Sequence, residues 1–437
     1  MRITLLISLL LVVLTSSCVV IDNQFEAIPP GKWRGILKLE DNKTTRQTIT
    51  SDFVFEEVTE GQLPFNFEVI YENKNTFYIE MKNGEERIIV RDIQFGRNPA
   101  TNQDTIRINF PFYDSYLTGL YEEDVIEGLW VVNDQENYSI PFVAFHGKDY
   151  RFTELRKPPF MDVTGSWETR FEVNDAKPYP AVGEFQQQGN YLTGTFRTET
   201  GDYRFLEGTV QADKIYLSCF EGAHAFLFEA KILPDSTIVG TFRSGKNYKT
   251  IWEAKRNPNF ELSNPDSLTY AKSGLEKVAE LNIKNKQGKT ISLNDYGNKI
   301  KLIQILGTWC PNCRDETEFL VRYLDENKEI AKQIAIIGLA FERYKAPEKA
   351  QKLLDNYVKQ MNVPYEMVLA GYYSKAEASK VLPFLSEVIA YPTLIFVDRN
   401  NQIQRIHTGF SGSATSKYEE FRQSFEQTIT RLLNKPT

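Results

Sequence analysis

Two cysteines with two residues between them, in Cys310-Pro311-Asn312-Cys313, are the part of the chain best equipped for chemistry. On a helix, that spacing puts the second sulfur one turn beyond the first, within disulfide reach, so the pair can cycle between dithiol and disulfide. Pro311 suits a first helical position. Cys310 would then stand at a helix N-terminus, where unpaired amides and the positive end of the macrodipole favour a thiolate. The spacing predicts an exposed Cys310 that attacks and a partly buried Cys313 that resolves the mixed disulfide. A C-x-x-C can also be half of a zinc site. Tetrahedral zinc needs two more ligands, and neither a second C-x-x-C nor a paired histidine is present, so no metal is expected. Haem attachment would need a histidine after the second cysteine, where Arg314 stands. Walker, H-E-x-x-H and Gly-x-Ser-x-Gly signatures are absent.

The elements around the pair must alternate to hold it. Residues 301–306 read as a buried strand and residues 316–324 have helical periodicity, so the motif sits in a strand-to-helix turn. Further strands are predicted over 334–341 and 393–397. Helices are predicted over 347–361, roughly 374–387 and 417–433. Strands alternating with helices define an α/β domain over 275–437.

The run Thr308-Trp309-Cys310-Pro311-Asn312-Cys313-Arg314, with a distant Tyr391-Pro392-Thr393 before the strand Leu394 to Asp398, resembles the thioredoxin-like fold. Within that fold it is most similar to membrane-tethered thiol–disulfide oxidoreductases of the TlpA/ResA type. The resemblance implies a cis peptide bond before Pro392, facing the disulfide beside Pro311, and a Tyr391 backbone that pairs with an extended substrate. It implies that Trp309 packs beside the disulfide. It places Glu316 where such proteins carry an active-site carboxylate, although a solvated glutamate on the helix face is an equally open reading. Gln304 stands where some thioredoxins bury an acid, and Glu318 replaces a familiar helix proline. By the same resemblance the protein needs no cofactor beyond the Cys310–Cys313 disulfide. Its electrons would come from a membrane thiol-transfer protein, and it would reduce disulfide-containing protein substrates.

The front of the chain reads differently. Met1-Arg2 and an apolar core from Ile3 to Leu14 form a secretory signal, too short to span a bilayer. Leu14-Thr15-Ser16-Ser17-Cys18 resembles the lipobox of bacterial lipoproteins. That implies a signal peptide over 1–17, lipid on Cys18, a tether over 18–30 and a place at a bacterial membrane facing the periplasm; an ordinary cleaved signal is the alternative. Aromatics make up 13% of the 437 residues, which favours β-structure. Short strand-like runs fill 31–256 and predict an all-β barrel or sandwich. Gly31-Lys32-Trp33 is echoed by Gly165-Ser166-Trp167, and Ile126-Glu127-Gly128-Leu129-Trp130 by Ile238-Val239-Gly240-Thr241-Phe242. Two divergent copies, 31–160 and 161–256, would explain this, as would chance recurrence of Gly-x-aromatic. Residues 257–274, punctuated by Pro258 and Pro265, read as a linker.

Composition narrows the function. A net charge of −7 argues against a nucleic-acid surface, and 4 Cys with 3 His exclude a disulfide-dense scaffold or a multi-histidine centre. Cys219, alone in an apolar run, reads as a buried small hydrophobe, and His407 as a structural histidine. The leading expectation is an exported, lipid-anchored thiol–disulfide oxidoreductase acting as a reductase. The alternatives are a periplasmic oxidase and a β-rich module that binds a ligand or partner while the redox domain assists. A peroxidase fits less well, because Cys313 is an immediate resolving thiol.

Overall fold

The computed structural model describes residues 27–39 and 58–435; Cys18 and the signal segment lie outside them. Among the described residues eighteen strands come first, in two runs of nine. The first run is β1 (Gly31–Lys38), β2 (Gln62–Tyr71), β3 (Phe77–Asn83), β4 (Glu86–Val90), β5 (Ile93–Asn98), β6 (Gln103–Phe110), β7 (Ser115–Glu122), β8 (Val125–Val132) and β9 (Ser139–His146). The second is β10 (Gly165–Phe171), β11 (Tyr179–Gln188), β12 (Tyr191–Thr198), β13 (Gly201–Asp202), β14 (Leu206–Gln211), β15 (Lys214–Phe220), β16 (Ala225–Ile232), β17 (Ile238–Ser244) and β18 (Tyr248–Arg256). Each run is an antiparallel meander whose first strand pairs with both its second and its ninth.

The echo of Gly-x-Trp has a geometric counterpart. Gly31 and Gly165 have φ of +108° and +117°, a region where a side chain would be strained. Two residues on, Trp33 and Trp167 are fully buried. Their indole N–H groups donate to the carbonyl four residues back, Pro29 at 3.2 Å and Val163 at 2.8 Å.

The two units differ in closure. In the second, β12 pairs with both β11 and β14, closing eight strands into a barrel with β13 as a short flap. In the first, among the described residues, β4 and β5 end the sheet and do not pair with each other. The barrel interior is packed with rings: Phe228 stacks on Phe242 at 4.4 Å and on Phe196 at 4.7 Å, with Phe171 and Trp252 against them. Strands β15 and β16 are buried on both faces, because Tyr216, Phe220 and Leu227 point out of the barrel into the core of the first unit. Arg151 reinforces that joint, donating to Ser218 Oγ at 2.9 Å and Asn83 Oδ1 at 3.0 Å.

The linker is more structured than its prolines suggest. It carries helix α1 (Pro265–Leu268), whose Asp266 accepts from His407 Nδ1 and pairs with Arg405 Nε, each at 2.8 Å. The remaining elements are β19 (Glu280–Lys284), β20 (Thr290–Ser292), β21 (Ile300–Leu306), α2 (Pro311–Glu326), α3 (Lys328–Ala331), β22 (Ile334–Glu342), α4 (Pro347–Gln360), β23 (Glu366–Tyr372), α5 (Lys375–Val381), β24 (Thr393–Val397), β25 (Ile403–Thr408) and α6 (Tyr418–Asn434). Five strands form a mixed sheet in the order β23-β22-β21-β24-β25, with β21–β22 and β22–β23 parallel and the other pairs antiparallel. This is a thioredoxin-like sheet behind a β-rich region. Alternate residues of β21 serve two cores. Ile300 and Leu302 meet α2 and α6, whereas Ile303 and Ile305 meet Leu354 and Tyr357 of α4.

Two expectations are corrected here. The helix predicted over 374–387 stops at Val381, since Pro383, just beyond the C-cap Leu382, cannot continue the hydrogen-bond ladder. Strand β23 was not foreseen; its sequence, EMVLAGY, has neither strict alternation nor a run of β-branched residues. Because the ring stack is the barrel's core, Phe228→Ala should lower the free energy of urea unfolding by about 3–5 kcal/mol; a loss below about 1 kcal/mol would show that the stack is not what holds the barrel.

Candidate active site

The site is built where β21 ends and α2 begins. Gly307 turns the chain, and a Cβ there would sit 2.3 Å from Trp309 Nε1, so only glycine leaves room for the indole. Cys310 is the N-cap of α2, with Pro311 at the first helical position. Its Sγ accepts the backbone N–H of Cys313 at 3.3 Å, taking the place that a serine or aspartate oxygen usually holds. Both cysteines are free thiols.

Across the motif, the Tyr391–Pro392 peptide bond is cis, and Cys310 Sγ donates to Tyr391 O at 3.6 Å. Trp309 meets Tyr391 edge-on at 5.7 Å and donates its indole N–H to Phe341 O at 2.9 Å. Cys310, Cys313, Glu316, Trp309, Pro311, Tyr391 and Pro392 therefore converge. Cys18 cannot be placed, since it lies outside the described residues, and Cys219 is buried far along the chain in β15.

The expected exposure of the first thiol is corrected. Cys310 is only 8% exposed and Cys313 is fully buried, because both sulfurs sit in the apolar core of their own domain, with Tyr391 and Ile395 among its members. Burial pushes the Cys313 thiol well up, and its hydrogen bond to Cys310 pushes it further.

Glu316, read as either a functional or a solvated glutamate, is completely buried one helical turn beyond Cys313. Its Oε2 accepts from Gln304 Nε2 at 2.9 Å, and its Oε1 has no partner among the described residues. Desolvation raises its pKa to about 8, opposed only by the Gln304 amide. Gln304 is itself held by Thr317 and by Tyr365 Oη.

A second buried acid went unforeseen. Glu342, the last residue of β22, accepts from Thr308 N at 3.0 Å and Thr308 Oγ1 at 2.8 Å, fixing the turn that leads into Cys310. Burial raises it to about 7. The signal available in the sequence was an acid ending an otherwise apolar strand, Ile334 to Glu342. Among the described residues no group of three or more His, Cys, Asp or Glu could hold a metal ion, and no helix is long and apolar enough to cross a membrane. The arrangement can thus take up and release two electrons as dithiol and disulfide, with a buried carboxyl next to the inner sulfur.

Comparison with known proteins bears on the same segment. Residues 275–406 match the AhpC/TSA family. The chain is 23% identical over 156 residues to the thiol–disulfide oxidoreductase ResA of Halalkalibacterium halodurans, covering 36% of this chain and 78% of that protein. Among solved structures it is similar to a thiol–disulfide isomerase from Corynebacterium glutamicum, at 15% identity and a TM-score of 0.28, covering 37% of this chain and 98% of that one. It is also similar to StoA from Bacillus subtilis, at 16% identity and a TM-score of 0.24, covering 36% and 94%. By its sheet order the C-terminal part of the chain has a thioredoxin-like fold, it carries paired thiols and is similar in sequence to the thiol–disulfide oxidoreductase ResA, and it is set behind a β-rich region that the family match does not reach.

Proposed function

We propose that the protein is a membrane-tethered, extracytoplasmic enzyme that reduces substrate disulfides through Cys310 and Cys313, held to a bacterial membrane by lipid on Cys18. What carries this reading is the Cys310 sulfur at the N-cap of α2, hydrogen-bonded to the Cys313 amide and facing the Tyr391 carbonyl. In the cycle, the Cys310 thiolate attacks one sulfur of the substrate, forming a mixed disulfide and releasing the other sulfur as a thiolate. Cys313 then attacks the Cys310 sulfur and frees the second substrate thiolate. Two electrons pass to the substrate, two protons follow to its thiolates, and Cys310–Cys313 is left as a disulfide. A membrane thiol donor would return it to the dithiol.

The second step needs the proton of a buried thiol removed. An ordinary thiol has a pKa of about 8.5. Burial raises the buried Cys313 thiol above that, and the same burial raises Glu316 to about 8, so Glu316 is a stronger base for that proton than an ordinary carboxylate would be. Trp309, Pro311, Tyr391 and Pro392 would form the surface against which the substrate segment lies. The competing reading, a β-module that encloses a ligand, is disfavoured by a barrel interior already filled with aromatic rings.

Cys313→Ser should accumulate a mixed disulfide through Cys310 in cells, seen as a thiol-sensitive higher-mass species on non-reducing gels; recovery of no such species would contradict the cycle. Glu316→Gln should lower kcat/KM about 100-fold, within the usual range for a lost acid–base group. It should also change the pH dependence of stability. A carboxyl raised in the folded state contributes stability that is full below its ordinary pKa and lost as pH rises through about 8. Glu316→Gln should therefore be roughly 2–4 kcal/mol more stable than the parent at pH 9 and no more stable at pH 4, measured by urea unfolding.

A further inference from the structure

The catalytic face of the thioredoxin-like domain is not open to solvent on all sides. The flap after β12 reaches the active-site helix directly: Asn312, between the two cysteines, donates to Asp202 O at 3.3 Å. A Cβ on Gly201 would sit 2.2 Å from Asn312 Nδ2, so this approach is as close as glycine allows. The Asp202 carboxylate accepts the Gly412 amide at 2.7 Å, which ties the same flap to the loop after β25. On the opposite side, Arg343, stacked over Trp309 at 4.4 Å, pairs with Asp134 of the first unit at 3.0 Å. Tyr344 Oη donates to Asp114 at 2.6 Å. The face that carries Cys310 is therefore held by both β-units.

Arg204 is the hub of this contact. It is buried, and its two terminal nitrogens divide between Asp315 of α2 and Glu86 of the first unit. One guanidinium thus links all three parts of the molecule. The planar fork suits this task, and a lysine could not serve two carboxylates in the same way. Beside the flap, a crevice of about 270 Å³ is lined by Tyr179, Pro180, Thr198, Tyr203 and Asn312, among others.

We propose that the β-rich region is a specificity wall over the redox pair, latched by Arg204. It lets small or extended disulfides reach Cys310 and keeps out disulfides embedded in a folded surface. A folded partner would have to displace the flap at Gly201–Asp202 before its sulfur could come into line with Cys310, whereas a small disulfide would not. Arg204 is a positioning residue here, since it acts through Asp315 and touches no reacting atom. The proposal rests on the redox reading above and adds to it the class of substrate that the site accepts.

The test uses the full chain, reduced beforehand, with its oxidation followed by tryptophan fluorescence after mixing with oxidised glutathione or with insulin. The parent should react with glutathione disulfide and only slowly with insulin. Arg204→Met and Asp315→Asn should each raise the insulin rate about 10-fold or more while leaving the glutathione disulfide rate within about twofold. Asp315→Asn breaks only the contact to α2 and leaves Arg204 paired with Glu86, so it keeps the test valid if Arg204→Met fails to fold. Loss of both rates together, or an unchanged ratio, would overturn the wall. A parent inert to both reagents would instead overturn the redox reading, and the wall with it.

Discussion

A hydrogen bond from a peptide N–H to a sulfur, Cys313 to Cys310, is the constraint around which this molecule is organised. It can form only if a helix begins at that residue, and the helix begins there because β21 delivers the chain, Gly307 turns it and Pro311 starts the first turn. The orphan amides of that turn need acceptors. In most helices an oxygen supplies one; here a sulfur does, and a group that caps a helix is also one that can exchange disulfides. Structure and reactivity therefore draw on the same electrostatic feature.

Around it the protein keeps two carboxyls under conditions that favour their neutral forms. Glu316 has a single amide partner and an uncommitted oxygen, whereas Glu342 spends both of its oxygens on Thr308. The contrast suggests different tasks. A carboxyl with a free oxygen can trade protons, and one engaged at both oxygens braces a loop. Burial that costs stability at high pH is the same burial that makes the Glu316 carboxylate a stronger base beside the inner thiol.

What could be read in the sequence is what is local. The Cys310–Cys313 spacing, Pro311 and the Tyr391-Pro392 pair each announce themselves within a few residues. So do the Gly-x-Trp echoes, which mark strands of matching position in the two β-units. What could not be read depends on residues far apart in the chain. Glu316 is buried because Gln304 and the strand beneath it lie there, and the helix pattern alone allowed solvent instead. Arg204 finds Glu86 and Asp315 more than a hundred residues away on either side. That one unit closes while β4 and β5 of the other, among the described residues, do not pair with each other is settled by pairings that local patterning does not encode.

The most direct measurement of the central claim is an equilibrium redox titration of the intact protein in dithiothreitol buffers, read by Trp309 fluorescence and by thiol counting. A vicinal dithiol predicts one two-electron transition, in which the ratio of disulfide to dithiol changes tenfold for each change of about 30 mV in buffer potential, with a midpoint near that of a reducing thioredoxin and absent from Cys310→Ser. A midpoint near that of the strong periplasmic oxidants would reverse the direction proposed. A titration with no two-electron step, or one indifferent to Cys310, would contradict the account at its base.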